Sequence, residues 1–546
     1  MEEAVLGNSN TGSRKHAVLS AHSLPRCARC KQRAGLKRCF LNSLCPSATS
    51  GPILGNVFSC SCNLPDAPGR VDPVGECVSV TQWGFRHMRC SVLLFLLAAD
   101  AFLAAGAAAQ TNLDVEEFRV YTEHPRLFLR PQRLRLLKRE RERQSLRWQQ
   151  FEALVRGNAQ MPEPGLAYAL YYAVSGDAAY GKRAVDWALS DAAVKEVRQI
   201  ALVFDWCHDL LSASQNKQMA VRLRAAFSRP VAHAISAGPV LAAVASAEVN
   251  QDASEKFLRG YAATWRARMD CPGVDHEPIT TLRRDYLPML EILHAVRDNF
   301  NLDLRDSCPE YFRNLPARDL TSFYPAPYPA AENEYHVPAF TGNGQPNLDD
   351  AVYSRIAQMA MVAFDNNAQA YQFLQGWIIQ DRFILRGTLG APYEFLWANP
   401  YQPGLSYTNL PLVFHDPASG ALFLRSTWDE DADWFGLVGS EVQFFEDGKV
   451  ALLNMTPQPA EGGFEKSLRI GPASVVLGKK EMRFLVEDEM IFVIGLRSRA
   501  HYEVEVTDEE MCETDSDAAG TLALHFPKGR KAQIRMKEVA IASHGA

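Results

Sequence analysis

Residues 124–155 read HPRLFLRPQRLRLLKRERERQSLRWQQFEALV, residues 165–190 read GLAYALYYAVSGDAAYGKRAVDWALS, and residues 200–211 read IALVFDWCHDLL. In the second stretch Leu166, Ala169, Leu170 and Ala173 fall at helical spacing; after Ser175-Gly176-Asp177, so do Tyr180, Ala184, Trp187 and Ala188. Two amphipathic helices joined by so short a break form a helical hairpin. Gly176 suits the left-handed position that closes the first helix, and the Asp177 carboxylate can accept the N–H groups that open the second. Helical patterns continue over residues 131–155, 194–211, 215–227, 230–249, 253–269, 282–297, 348–364 and 367–383, so the hairpin is the expected unit of a helical domain.

Towards the C-terminus the period changes. From Leu412 the segments ALFLRS, WFGLV, VQFFEDGKVALL, RIGPASVVL, MRFLVEDEMIFVIGL, HYEVEV and TLALHF alternate apolar and polar residues, as short strands do. Asp447-Gly448 supplies the positive φ angles of a two-residue hairpin turn. Between the two regions, residues 306–347 are rich in Pro, Tyr and Asn and read as a long crossing; loops of that length usually serve a site.

Towards the N-terminus, MRCSVLLFLLAADAFLAAGAAAQ begins at Met88 with a basic residue, an apolar run and a small-residue site at Ala107–Ala109. That is the layout of a secretory signal peptide, and the run is short for a membrane span of about 20 residues. The expected organisation is therefore 1–87 outside the mature protein, 88–109 signal peptide and 110–121 extended arm. A helical domain over 122–400, a linker over 401–410 and a β-domain over 411–546 follow. The protein is then secreted or periplasmic after cleavage near Ala109, touching a membrane only through its signal peptide. The spacing Cys27-x-x-Cys30, Cys39, Cys45 invites a zinc reading, but it lies ahead of the expected start. After Cys90, Cys207, Cys271, Cys308 and Cys512 remain, too sparse for a disulfide scaffold.

Residues 1–109 hold 11 Lys+Arg and 6 Asp+Glu, which leaves 46 and 57 in residues 110–546, a balance of −11. An acidic protein lacks long-range attraction to phosphate, so nucleic acid is not the expected partner. No Gly-rich phosphate loop, Gly-x-Ser-x-Gly elbow or His-Glu-x-x-His helix occurs, which removes support for nucleotide-dependent, serine-hydrolase and zinc-protease chemistry.

The HPRLFL start, the basic helix with Trp148, the AYALYYAVSGDAAYGKRAVDWAL hairpin and ALVFDWCHDLLS resemble the heparinase II/III-like family of polysaccharide lyases. The resemblance covers about His124 to the C-terminus and implies an incomplete (α/α) toroid followed by an antiparallel β-sandwich. It implies β-elimination on a uronate-containing polysaccharide or oligosaccharide. Such chemistry needs groups that neutralise the carboxylate, a base for the α-proton and an acid for the leaving oxygen.

Carried over residue by residue, the family's Asn-His pair falls on Ala232-His233. Its Glu-Gly-x-x-Tyr segment falls on Glu277, Pro278 and Thr281, with Tyr286 following as the available phenol and Arg283 between them. Its His-Gly-His-x-Asp strand falls on Leu437–Glu446, which has no His, so no zinc ligands and no cofactor are expected. The expected catalytic set is thus His233, Glu277 and Tyr286. Tyr335 and His336 from the crossing, Arg283, and the aromatics Trp377 and Trp397 are the substrate-binding candidates, with Tyr324 and Tyr328 also available for stacking. Two alternatives stay open: a glycan-binding or structural protein that does not cleave, and a glycoside hydrolase needing two carboxylates about 5–10 Å apart. For the latter, Asp205 and Asp209 sit one turn apart but belong to the scaffold motif and read as structural; Asp285 and Glu332 are the other carboxylates, without motif support. The acidic group Asp429, Glu430, Asp431, Asp433 reads as a solvated turn.

Overall fold

The computed structural model describes residues 123–539 apart from 229–234, 270–282, 301, 330–333, 341–347, 382, 452–463, 508–509 and 528–530. The expected signal peptide, the extended arm and the cysteine-rich segment lie outside the described residues.

The helical region opens with α1 (Pro131–Glu142) and α2 (Leu146–Arg156). The sequence pattern runs unbroken through both, but Gln144 takes a left-handed φ of 51° and the Ser145 hydroxyl accepts the Trp148 N–H at 3.3 Å. An N-cap inside an amphipathic run starts a new helix without interrupting the apolar stripe. The hairpin α3 (Pro164–Ser175) and α4 (Ala178–Leu189) forms as the turn predicts. Gly176 sits at φ 76°, and Asp177 Oδ1 accepts from the Ala179 N–H at 3.0 Å.

Next come α5 (Val197–Trp206), α6 (Ala213–Phe227), α7 (Ala237–Ala245) and α8 (Gln251–Met269). They are followed by α9 (Tyr286–Phe300), α10 (Pro309–Thr321), α11 (Leu348–Phe364), α12 (Gln369–Asp381) and α13 (Gly390–Trp397). Two of these correct the sequence reading. Helix α10 lies inside the expected crossing, because Pro309 occupies the first helical turn, where its missing N–H costs nothing. Helix α13 lies in the segment that leads to the expected linker. Helices α3, α5, α7, α9, α11 and α13 each pack on the next, and α13 returns to α2 and α3. Helices α4, α6, α8 and α12 each pack on members of that succession.

The strands form three stacked sheets rather than the two layers of a sandwich. The first has order β3-β4-β5-β6-β7 (Val413–Asp416, Ala421–Arg425, Trp434–Val438, Glu441–Glu446, Lys449–Ala451). The second has order β14-β11-β9-β8 (Leu522–His525, Met490–Ile494, Ala473–Leu477, Ser467–Ile470). The third has order β10-β15-β12-β13 (Glu481–Val486, Ala532–Val539, His501–Val506, Glu510–Asp515). Pairing within the three is antiparallel except that β9 and β11 run parallel.

Strand alternation explains the stacking. In β11, Phe492 and Ile494 face the first sheet and pack on Leu424 and Phe435, whereas Ile491 and Val493 face the third and pack on Phe484 and Val504. Burying both faces is why MIFVI reads as a continuous apolar run. The outer face of the first sheet carries Phe423, Trp434 and Phe445, which pack on Tyr324, Val337 and Ala339 of the crossing. The crossing carries a small pair of strands, β1 (Tyr328–Pro329) and β2 (Glu334–Tyr335), and joins the helices to the sheets.

Candidate functional site between the helices and the first sheet

Trp377 and Asp381 are one turn apart on α12 and therefore share a face. The crossing runs over that face. Its backbone is held by Ala339 N–H to the Ser322 carbonyl at 2.9 Å and Tyr324 N–H to the Val337 carbonyl at 3.2 Å. This fixes His336, just beyond β2, with Nδ1 2.6 Å from Asp381 Oδ1 and its ring 4.6 Å from that of Trp377. The other Asp381 oxygen meets the Arg355 guanidinium, which comes from α11. From the first sheet, Arg425 of β4 enters the same region. It donates to the Phe323 and Thr427 carbonyls, each at 3.3 Å, and lies 4.6 Å from the Trp428 ring. Tyr407 closes the group, edge-on to Trp377 at 5.0 Å.

The electrostatics follow from burial. Desolvation first, then Arg355 and Arg425, push the His336 imidazole down to about 4, against smaller upward pulls from Glu430 and the Pro325 carbonyl. Burial lowers both arginines to about 10, so each stays charged at neutral pH. Burial raises the Tyr407 phenol, which keeps its proton. Arg355 is 3% exposed, and its Nε and Nη1 have no hydrogen-bond partner. A neutral imidazole aligned by a carboxylate can receive a proton, and two guanidiniums stand in the same region, with Glu394 and Asp319 also acting on Arg355. His336, with 14% of its side chain exposed, is the member of the His336–Asp381–Arg355 group nearest solvent.

The other expected residues are distributed differently. His233 and Glu277 lie outside the described residues. Tyr286 is buried in the first turn of α9, and Arg283 stands in the short turn Arg283–Asp285 that leads into it. Tyr335 pairs with Tyr328 across β1 and β2. Trp377 and Trp397 are 4% and 3% exposed, so neither offers the open face that stacking on a sugar requires. Trp397 packs on Phe128 and His294 instead. Tyr324 is also buried and donates to Gln443. Asp205 and Asp209 are each engaged in structural hydrogen bonds. Asp205 accepts the Arg126 and Leu127 N–H groups, and Asp209 accepts the Tyr172 hydroxyl at 2.6 Å.

Two clusters escaped the sequence reading, because their members are far apart in the chain. Among the described residues, His124, His208 and Glu248 are close enough to hold a metal ion. Their geometry does not suit one. The two imidazoles stack at 3.9 Å and 8°, so their in-plane lone pairs lie in separate parallel planes. Arg126 Nη2, 2.7 Å from His124 Nε2 and 3.1 Å from Glu248 Oε2, already supplies the cation. This group ties the HPRLFL start to the helices. Arg198 in the first turn of α5 binds Glu163 ahead of α3, Glu291 of α9 and Tyr393 of α13. Nε meets Glu291 Oε1 at 2.9 Å, Nη1 meets Glu163 Oε2 at 3.1 Å and Nη2 meets the Tyr393 oxygen at 2.7 Å. The Tyr393 hydroxyl in turn donates to Glu163. The guanidinium donors are thus engaged, and the cluster is a clasp that ties α5, α9 and α13 to the start of α3.

Comparison with protein-family models and with curated proteins finds no match. Among solved structures, the chain is similar to heparan sulfate lyase HepC from Pedobacter heparinus at 12% identity and a TM-score of 0.33. The match covers 69% of this chain and 76% of that one. A mutant of the same lyase matches at 13% identity with the same coverage and TM-score. A glycoside hydrolase matches at 11% identity and a TM-score of 0.25, over 69% and 71% of the two chains. Values this low assign neither a family nor an activity.

Proposed function

We propose that the protein cleaves a uronate-containing polysaccharide by β-elimination at the His336–Asp381 site. The observation that carries this reading is the bridging of His336 and Arg355 by the one Asp381 carboxylate. Asp381 holds the imidazole by its Nδ1–H, and the opposite nitrogen takes the proton α to the substrate carboxylate. Arg355 and Arg425 offset the negative charge that develops on that carboxylate. The carbon–oxygen bond to the 4-linked sugar then breaks, a carbon–carbon double bond forms, and the Tyr407 phenol gives its proton to the leaving oxygen.

The succession of α3, α5, α7, α9, α11 and α13, returning to α2 and α3, supports an incomplete (α/α) toroid as the scaffold. Cys308 is disulfide-bonded, which together with the signal-peptide pattern at Met88 supports export to an oxidising compartment. His233, Glu277 and Tyr286, the catalytic set expected from the sequence, stand as the alternative to the His336 site; the first two lie outside the described residues and Tyr286 is buried.

The test is a panel of uronate polysaccharides, with ultraviolet absorbance of the unsaturated product as the signal. Activity that disappears in His336→Ala and survives in His233→Ala supports the site. Binding of one glycan without absorbance, in wild type, would replace the lyase with a carbohydrate-binding protein.

A further inference from the structure

Residues 426–433, the loop between β4 and β5, border the His336 site, and the elimination chemistry makes no use of their acidic side chains. The loop is closed on itself. The Ser426 N–H donates to the Asp433 carbonyl at 2.9 Å, the Asp433 N–H to Ser426 Oγ at 2.8 Å and the Asp429 N–H to Thr427 Oγ1 at 3.1 Å. Trp428 pins the loop to the site. Its indole N–H donates to the Leu410 carbonyl at 3.0 Å, its ring lies 5.4 Å from that of Tyr407, and the Arg425 guanidinium stands 4.6 Å from it. Trp428 is partly buried, whereas Asp429, Glu430 and Asp431, next in the chain, are exposed. These carboxylates are within electrostatic reach of the reacting groups. After burial and Arg425, Glu430 and Asp429 act on the Tyr407 phenol; after burial and the two arginines, Glu430 acts on the His336 imidazole.

The charges are thus sorted by depth. Arg425 is 3% exposed, donates to the Phe323 and Thr427 carbonyls and forms no ion pair among the described residues. Arg355, equally buried, is already bound to Asp381. One substrate carboxylate can therefore serve as the missing counter-ion of Arg425. A second anion, on the adjoining sugar, is left nearer solvent, where it meets Asp429, Glu430 and Asp431. Like charges placed against the wrong ligand are a direct means of specificity. Trp428, which keeps part of its surface in solvent, offers an adjoining uncharged sugar an aromatic partner for its C–H groups.

We propose that the substrate carries one carboxylate per repeat beside an uncharged, unsulfated sugar, and that Asp429, Glu430 and Asp431 exclude sulfated glycans. The inference rests on the uronate reading of the His336 site and narrows its substrate class.

The test compares polymers of one backbone that differ in sulfation, chondroitin with chondroitin sulfate and heparosan with heparan sulfate, and adds alginate, which is charged on every sugar. Binding of fluorescently labelled polymer to the full chain and elimination by ultraviolet absorbance are measured separately. At low salt an unsulfated polymer is expected to bind at least about tenfold better than its sulfated counterpart. The margin should shrink as salt screens the exposed carboxylates, over a Debye length of about 10 Å at 0.1 M. The triple variant Asp429→Asn, Glu430→Gln, Asp431→Asn should gain binding of the sulfated polymer and bring the margin under about threefold, a gain that a damaged fold would not give. Should the variant lose its fold, the salt series on the wild type reads the same repulsion. Equal or tighter binding of sulfated polymers or alginate by the wild type overturns the inference, as does an unchanged margin in the folded variant or across the salt series. Preference for unsulfated polymer without elimination supports the inference and counts against the lyase reading; binding of none of the polymers overturns both.

Discussion

Asp381→Asn is nearly isosteric, yet it removes the one anion in direct contact with two buried partners. Asp381 and Arg355 have side chains 3% exposed, and the Arg355 Nε and Nη1 already lack partners. Taking the carboxylate away leaves a buried guanidinium without its directly bound counter-ion, a change that typically costs about 3–5 kcal/mol. His336 also loses the acceptor 2.6 Å from its Nδ1. Replacing both ends of the pair, as Arg355→Met with Asp381→Asn, removes the stranded charge, so the double variant should be more stable than Asp381→Asn alone. The assay is equilibrium denaturation of wild type, both single variants and the double, treated as a double-mutant cycle. A coupling energy above about 2 kcal/mol is expected. If Asp381→Asn costs less than about 1 kcal/mol, or the two changes simply add, Asp381 does not hold the site as described.

Acid should weaken the fold through buried histidines. Burial, first among several influences, pushes His294 down to about 4, and its ring Nε2 donates to the Ala360 carbonyl at 3.0 Å. The unfolded chain takes up that proton near pH 6.5 and the folded chain only near 4. Stability therefore falls as pH drops between those values, by up to about 3 kcal/mol, with His336 adding in the same direction. Denaturation midpoints at pH 7.5 and 4.5 for wild type and His294→Gln should converge at the lower pH; parallel behaviour would remove His294 from the account. A Cβ added at Gly376 would lie 1.8 Å from the Leu405 carbonyl oxygen, with no flexible side chain to yield. Gly376→Ala should cost about 1–3 kcal/mol in thermal unfolding, and a neutral result would mean that 404–405 does not pack on α12. Arg198→Met leaves Glu291 and Glu163 without their cation and should cost about 3–5 kcal/mol, whereas Arg156→Met at the surface should cost under about 1 kcal/mol. Equal effects of the two would deny the clasp its role.

The features legible in the sequence are those set by local chemistry. Gly176 with Asp177 fixes the α3–α4 hairpin, and Asp447-Gly448 fixes the β6–β7 turn, where both residues take positive φ. Apolar periodicity marks most helices. It could not mark the new start at Ser145, because a cap changes the backbone without changing the stripe. Nor could it mark α10, whose Pro309 and Pro316 read as loop residues until one is seen in the first turn and the other on a buried face. The third sheet layer and the parallel β9–β11 pair depend on which faces meet, and alternation within a strand says nothing about that. His336 was legible as a residue in a crossing, but its partner Asp381 is 45 positions away. The exposure of Trp377 and Trp397 was equally beyond reach, since an aromatic on a helix reads the same in a core and in a cleft.

In the proposed reaction His336 removes a proton from a uronate sugar. Its most direct test is the rate of absorbance increase on uronate polysaccharides for wild type and His336→Ala, each confirmed folded by circular dichroism. The wild type is expected to eliminate and the variant to lose at least about 100-fold, the scale of a missing general base. Unchanged elimination in His336→Ala would contradict it and move the chemistry away from the junction of helices and sheets.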